Sequence, residues 1–182
     1  MYPVLRLAKE FAVHAGSPPL DICGAHVSRH VCWPWDLDIW MELNNGRSLT
    51  LYDLGRLVLV RRIGLGRALA RNGWGMTMAG ASVRWRRRVR LFDRVRIVSR
   101  CVGWDARFIY VEQSMWKGSE AASAVIYRTA VTGPGGIVAP YRVLRAMGRA
   151  ADSPPLPPHV AAWIDAEAGR PWPPPAGAER AA

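Results

Sequence analysis

Three carboxylates and two side-chain amides crowd the segment Asp36-Leu37-Asp38-Ile39-Trp40-Met41-Glu42-Leu43-Asn44-Asn45-Gly46-Arg47, directly ahead of a long leucine-rich stretch. A carboxylate beside the start of a buried helix can act as a general base or attack a carbonyl itself. The positive end of the helix stabilises the negative charge that then develops on the carbonyl oxygen. Together these suit acyl transfer. Asp38 is the leading candidate for the carboxylate, and Glu42 for a second acid and base. Asn44 and Asn45 join them at the helix start, where backbone N–H groups around Asn45 to Arg47 would hold an oxyanion, and Gly46 and Arg47 become candidate substrate contacts. A plainer reading makes the acids helix-start residues that answer the dipole and pair with Arg47, and it suits Asp36 best.

Other chemistry-bearing residues carry weaker signals. Trp33, Trp35 and Trp40 offer flat apolar surface for an acyl or aryl tunnel, or ordinary packing at a seam. Cys32 lies near the acids but has no histidine partner in sequence. His26 and His30 share one face of a strand, yet no third ligand stands at metal spacing, so no metal site is expected. Cys23, Cys32 and Cys101 are odd in number and lack a C-x-x-C spacing, which indicates a reducing compartment.

The elements that must position these residues follow from periodicity. Asn44 or Asn45 can cap a helix that Gly64 ends, and its leucines and valines leave only a narrow polar stripe, so other structure must wrap it. After Gly73 the pattern changes to period two, predicting strands at 75–92, 95–103, 106–116 and 121–131. Within the first of these Arg84, Arg86, Arg88 and Arg90 alternate onto one face, either solvated or meeting phosphates. An amphipathic helix over 3–14 and a strand over 24–32 precede the acids. Short helices are expected over 140–147 and 160–168, the second bracketed by proline-rich runs. One buried helix followed by an antiparallel meander is an α+β plan. It divides into an N-terminal helix and linker (1–20), a main domain (21–149) and a proline-rich extension (150–182) that packs on the domain or a partner subunit and ends in disorder.

With 182 residues, half of them apolar, the chain can bury one substantial core. Its formal charge of +11 comes almost wholly from arginine, Lys9 and Lys117 being the only lysines. Such a surface attracts polyanions: nucleic acid, anionic lipid or the phosphates of coenzyme A. Nucleic acid ranks low, because the best helix is buried and cannot read a groove. Arg6, Lys9 and Glu10 interrupt the N-terminal apolar run, which removes a signal peptide, and no apolar stretch is long enough to span a bilayer. The expectation is a cytoplasmic protein with at most peripheral membrane contact.

The order Asp-x-Asp-x-x-x-x-x-Asn-Asn-Gly-Arg, then Asp53-Leu54-Gly55-Arg56 on the helix, then the run Val83 to Asp93, resembles hotdog-fold thioesterases. These include 4-hydroxybenzoyl-CoA thioesterase-like enzymes and plant acyl-ACP thioesterases. The resemblance implies a long central helix wrapped by a curled antiparallel sheet, assembled as a homodimer or homotetramer. It also implies hydrolysis of an acyl thioester of coenzyme A or acyl carrier protein without metal or organic cofactor. Matched to the plant motif, Asp38 keeps the catalytic acid, Trp40 stands where an Asn belongs, making it a substrate-contact candidate, and Glu42 replaces a His. Other members carry the carboxylate on the helix, which makes Asp53 a candidate, although Arg56 offers it an ion pair three residues on. Arg86 and Arg88 would meet the nucleotide phosphates. Loss of the Asn and His keeps open a non-catalytic acyl-binding protein, and a dehydratase on the same fold is a third reading.

Overall fold

A computed structural model describes residues 2–174; the expected disordered end falls partly on 175–182, outside the described residues. Helix α1 (Val4–Val13) and strand β1 (His26–Val31) lead into a single turn of 3-10 helix at Pro34–Asp36. Helices α2 (Asn45–Arg62) and α3 (Leu65–Asn72) follow, then strands β2 (Gly75–Trp85), β3 (Arg94–Trp104), β4 (Ile109–Lys117), β5 (Glu120–Gly133) and β6 (Gly136–Val138). Helices α4 (Pro140–Ala146) and α5 (Pro158–Ala168) close the described chain. All pairings are antiparallel, in the order β1-β3-β4-β5-β2, with β6 on the end of β5. The curled sheet and its central helix match the α+β hotdog expectation.

Helix α2 is fixed to the sheet by apolar burial and by one close approach. Leu51, Leu54, Leu59 and Ile63 are buried in one cluster with Val95, Ile97, Val111, Met115 and Val125. A Cβ on Gly55 would lie 2.9 Å from Ser99 Oγ and 3.1 Å from Ser28 Oγ, so only glycine lets the helix sit this near β1 and β3. Gln113 of β4 donates to the Tyr52 carbonyl (2.8 Å) and to Ser99 Oγ (2.6 Å). Arg56 reaches Gln113 Oε1 at 3.3 Å and lies over the Tyr127 ring at 4.3 Å. These bonds satisfy polar atoms that burial would otherwise leave costly.

Three departures from the periodicity reading have local causes. The strand expected over 75–92 stops at Trp85, because the N–H groups of Arg86 and Arg87 both donate to the Ala122 carbonyl (2.8 and 3.0 Å) and the ladder ends there. Arg84 therefore lies in β2, while Arg86, Arg88 and Arg90 lie on the loop beyond it and do not share a strand face. Helix α3 was not expected: it is short and enclosed by Gly64 and Gly73, both at positive φ. The strand expected from 106 starts at Ile109, since Asp105 Oδ1 accepts from the N–H groups of Arg107 and Phe108 (2.7 Å each) and makes that stretch a turn.

The two ends of the described chain pack on the domain. Val160 and Trp163 of α5 join Val102 and Tyr110 in a second apolar cluster. The segment before α5 crosses Gly103, whose φ of 143° and 2.7 Å Cβ approach to Leu156 exclude a side chain. On α1, Glu10 is buried between Lys9 (3.0 Å), His14 Nε2 and His30 Nδ1 (both 3.8 Å). Burial, with repulsion from His14 and Arg62, lowers the His26 pKa to about 4. Burial, with repulsion from Arg6 and Lys9, lowers that of His30 to about 3. No described helix is long and apolar enough to cross a membrane.

Gly55→Ala is expected to lower unfolding free energy by about 1–3 kcal/mol in urea titration, by overpacking against Ser99 and Ser28. Wild-type stability would show that the helix can move off the sheet at no cost. The two histidines give a pH prediction. Their folded pKa values lie below the ordinary 6.5, so the unfolded chain takes up protons first as pH falls. Their contribution is complete above pH 6.5 and is lost as pH drops toward 4 and 3. The melting temperature should fall across that window, and less steeply in His26→Gln/His30→Gln; equal slopes would exclude both rings.

Candidate active site

The acids ahead of α2 are held in a β-hairpin. Leu37 and Leu43 bridge antiparallel, the Asp38 N–H donates to the Glu42 carbonyl (2.8 Å), and the Met41 N–H donates to the Asp38 carbonyl (3.1 Å). Asp38 Oδ1 accepts from the N–H groups of Trp40 (2.8 Å) and Glu42 (3.3 Å), the reach of a short acid that closes a turn on its own backbone. The Leu43 N–H donates to the Val89 carbonyl (2.7 Å), and Glu42 bridges Arg90, so the hairpin lies against the loop after β2.

Each acid has its own surroundings. Asp36 is buried and receives Arg6 Nη1 (2.7 Å) and the Trp33 N–H (3.0 Å), with Arg47 Nε at 3.9 Å. Its role is to tie α1, the 3-10 turn and the start of α2 together. Glu42 is half-buried and paired with Arg88 Nε at 3.0 Å. Asp53 lies two turns further along α2, ion-paired with Arg56 and faced by the Tyr2 hydroxyl, which burial and this carboxylate push up to about 12.

Asn44 is the N-cap of α2: its Oδ1 accepts from the N–H groups of Gly46 (2.9 Å) and Arg47 (3.2 Å). Those two N–H groups, expected to hold an oxyanion, are therefore occupied. The Asn45 N–H has no partner among the described residues and keeps the positive end of the helix behind it. Asn45, Glu42, Ser48, Trp85, Arg88 and Ser123 line a cleft of about 180 Å³. Ser48 Oγ donates to the Asn45 carbonyl (2.6 Å) and accepts from Trp85 Nε1 (3.0 Å), fixing the cleft wall. Arg86 also lines it. Asp38 adjoins the cleft through Glu42, while Asp53 is outside its lining.

The remaining sequence candidates sit elsewhere. Trp33, Trp35 and Trp40 are exposed, Trp40 at the hairpin tip, so none lines this cleft. Cys32 is buried, and burial with the nearby Asp36 and Asp93 pushes its thiol up to about 11, which keeps it protonated near neutrality. His30 faces Glu10 and Ser28 inside the fold, His26 meets Arg62 Nη1 (3.1 Å) and the His14 ring, and among the described residues no His, Cys, Asp or Glu group is arranged to hold a metal ion. A larger cleft, about 380 Å³, opens at the other end of α2, lined by Arg61, Arg62, Arg67, Arg71 and Arg149. His14 lines it as well, and no carboxylate or thiol is among its described lining residues. Arg6, Ser48, Trp85 and Ser123 carry no motif and come from four separate elements; only the fold brings them to the acids.

Asn44→Ala should cost about 0.5–2 kcal/mol by chemical denaturation, with Asn44→Asp, which keeps the acceptor oxygen, near wild type. Equal losses in both variants would contradict the capping role.

The family model of the thioesterase-like superfamily matches residues 32–164. Protein THEM6 of Xenopus laevis is 33% identical over 147 residues, spanning 79% of this chain and 69% of that protein. The probable thioesterase YbaW of Escherichia coli superposes with a TM-score of 0.62 at 13% identity, covering 67% of this chain and 98% of that one. Slr0204, a 1,4-dihydroxy-2-naphthoyl-CoA thioesterase from Synechocystis, gives 0.58 at 8% identity, covering 68% and 95%. At these identities the two solved structures speak to the fold alone.

Proposed function

The chain belongs to the thioesterase-like superfamily, a family of thioester hydrolases in the broad sense, and from that premise we propose that it hydrolyses an acyl-CoA thioester with the carboxylates ahead of α2. The observation that supports this reading is that Glu42 and Asn45, whose N–H has no partner among the described residues, line one cleft at the positive end of a buried helix, with Asp38 bonded to the Glu42 N–H beside it. Asp38 Oδ1 is committed to two backbone N–H groups, which leaves Oδ2 for chemistry. As a base it takes a proton from water, whose oxygen adds to the thioester carbonyl; as a nucleophile it forms an acyl anhydride that water then opens. The carbonyl oxygen turns negative against the Asn45 N–H and the helix end. Collapse expels the coenzyme A thiolate, which takes up the proton that water lost, so one thioester and one water give one acid and one thiol and both carboxylates are restored. The cycle needs neither metal nor organic cofactor. Acyl carrier protein thioesters would react by the same steps.

Arg86, Arg88 and Arg47 are the cations we assign to the phosphates of coenzyme A, with Gly46 giving the chain close passage. The 180 Å³ cleft is smaller than the roughly 300–1,000 Å³ usual for a small-molecule site. Trp85, one of its walls, ends β2, and β2 is an open edge with β5 as its one neighbour. A second copy pairing along β2 would continue the sheet and enlarge that wall, which favours a homodimer or a dimer of dimers. A non-catalytic acyl-binding role is the second reading, favoured by the capping of Gly46 and Arg47, which leaves one N–H for an oxyanion.

Thiol release from a panel of short, medium, long and aromatic acyl-CoA thioesters tests the proposal. Wild type should turn over at least one class. Asp38→Asn, which keeps the acceptor oxygen of the hairpin and loses the base, should drop kcat/KM by about 10²–10⁴-fold at unchanged melting temperature. Ligand-induced stabilisation with no thiol release would select the binding reading.

A further inference from the structure

The end of the molecule that carries the hairpin presents apolar side chains to solvent. Ile39 is 87% exposed, Trp40 75% and Met41 61%, all at the hairpin tip. Beside them Trp33 stacks on Trp35 with ring centroids 5.5 Å apart, and Phe92 meets Trp33 edge-on at 5.9 Å. The hairpin and the loop bearing Phe92 are joined by the Leu43-to-Val89 bond and the Glu42–Arg90 bridge, so the tip and the stacked rings belong to one surface. An apolar patch of this extent marks an interaction site.

The patch is built. Asp38 closes the hairpin by accepting from the N–H groups of Trp40 and Glu42, and Asp93 closes the second loop by accepting from the Arg90 N–H at 2.8 Å. The two loops hold Met41 at a φ of 58° and Phe92 at 61°, a left-handed conformation that bulky residues adopt only when the surroundings impose it. Both strained residues carry large apolar side chains into water.

The chemistry around the patch names the partner. Arg86, Arg87, Arg88 and Arg90 are all exposed on the adjoining loop. The neighbouring acids are engaged: Asp36 with Arg6, Glu42 with Arg88 (3.0 Å), Asp93 with Lys117 (2.7 Å) and the exposed Glu120 with Arg87 (3.9 Å), which leaves Arg86 and Arg90 without an acid at ion-pair distance among the described residues. Asp38 is turned onto its own backbone. Cationic charge is thus in excess beside exposed tryptophans and aliphatic tips, the composition that settles in the headgroup layer of an anionic bilayer. A second copy docked patch to patch would oppose two arginine-rich loops.

We propose that this end is a membrane-docking face: the Ile39–Trp40–Met41 tip and the Trp33, Trp35 and Phe92 rings enter the interfacial layer of an anionic phospholipid bilayer, and Arg87 and Arg90 pair with lipid phosphates. The proposal rests on exposure, strain and charge and does not depend on the hydrolytic reading. It is tested by flotation of the full chain with vesicles of phosphatidylcholine alone and of equimolar phosphatidylcholine and phosphatidylglycerol. Binding to the mixed vesicles should be about tenfold tighter or more, with tryptophan emission quenched by brominated acyl chains. Ile39→Asp should weaken binding about tenfold. Met41→Gly, which relieves the positive φ and so keeps the hairpin folded, should weaken it too. Arg87→Glu/Arg90→Glu should abolish the preference for phosphatidylglycerol. Absence of vesicle binding overturns the proposal, as does binding that is unchanged in both tip variants. Dissociation of a wild-type oligomer by Ile39→Asp, without any vesicle binding, also overturns it and makes the face a contact between copies.

Discussion

The contact between α2 and the sheet at Gly55 is the constraint from which the remaining geometry follows. Without a side chain there, the helix settles onto Ser28 of β1 and Ser99 of β3, and Gln113 can span from Ser99 to the Tyr52 carbonyl. A helix fixed at its middle has a fixed end. Three turns back toward the N-terminus, Asn44 caps α2, Ser48 joins it to Trp85 of β2, and the hairpin with Asp38 and Glu42 is set against the Arg88 loop. The start of α2 is thus positioned by packing about three helical turns away, which is how a rigid scaffold fixes the groups beside it.

Charge pairing refines what packing positions. Of the acids in the opening segment, Asp36 is taken by Arg6 from α1, so the N-terminal helix belongs to the machinery that orients the site. Glu42 faces Arg88, and Asp38 spends one oxygen on its own hairpin. That division leaves Asp38 with two backbone donors on one oxygen and the other oxygen for the role proposed above. The same hairpin lifts Ile39, Trp40 and Met41 out of the protein, so the residue that would do chemistry and the residues that would touch a bilayer are held by one turn.

Much of this was legible in the residues. Helix α2, its amide cap and its glycine end follow from local chemistry, and the strands follow from period two, because short-range rules govern both. Strand ends were less legible: Arg86 and Arg87 continue the alternation, but their N–H groups share the Ala122 carbonyl, a fact of cross-strand register. The oxyanion donors were overcounted because Asn44 can cap only by occupying the N–H groups of Gly46 and Arg47. The tryptophans read as tunnel or packing residues by type, and only the fold shows Trp33 and Trp35 at the 3-10 turn and Trp40 on the hairpin exposed to solvent. The Arg6–Asp36 pair spans 30 residues, and no local pattern predicts a partner at that separation.

The central claim is that a thioester binds with its carbonyl at the start of α2. A crystal structure with a non-hydrolysable ketone analogue of an acyl-CoA, in which a methylene separates the carbonyl from sulfur, tests it most directly. The account predicts the acyl carbonyl at the Asn45 N–H with Asp38 and Glu42 around it, and the phosphates on Arg86 and Arg88. Density for the analogue in the arginine-lined cleft at the other end of α2, with the acids untouched, would contradict it.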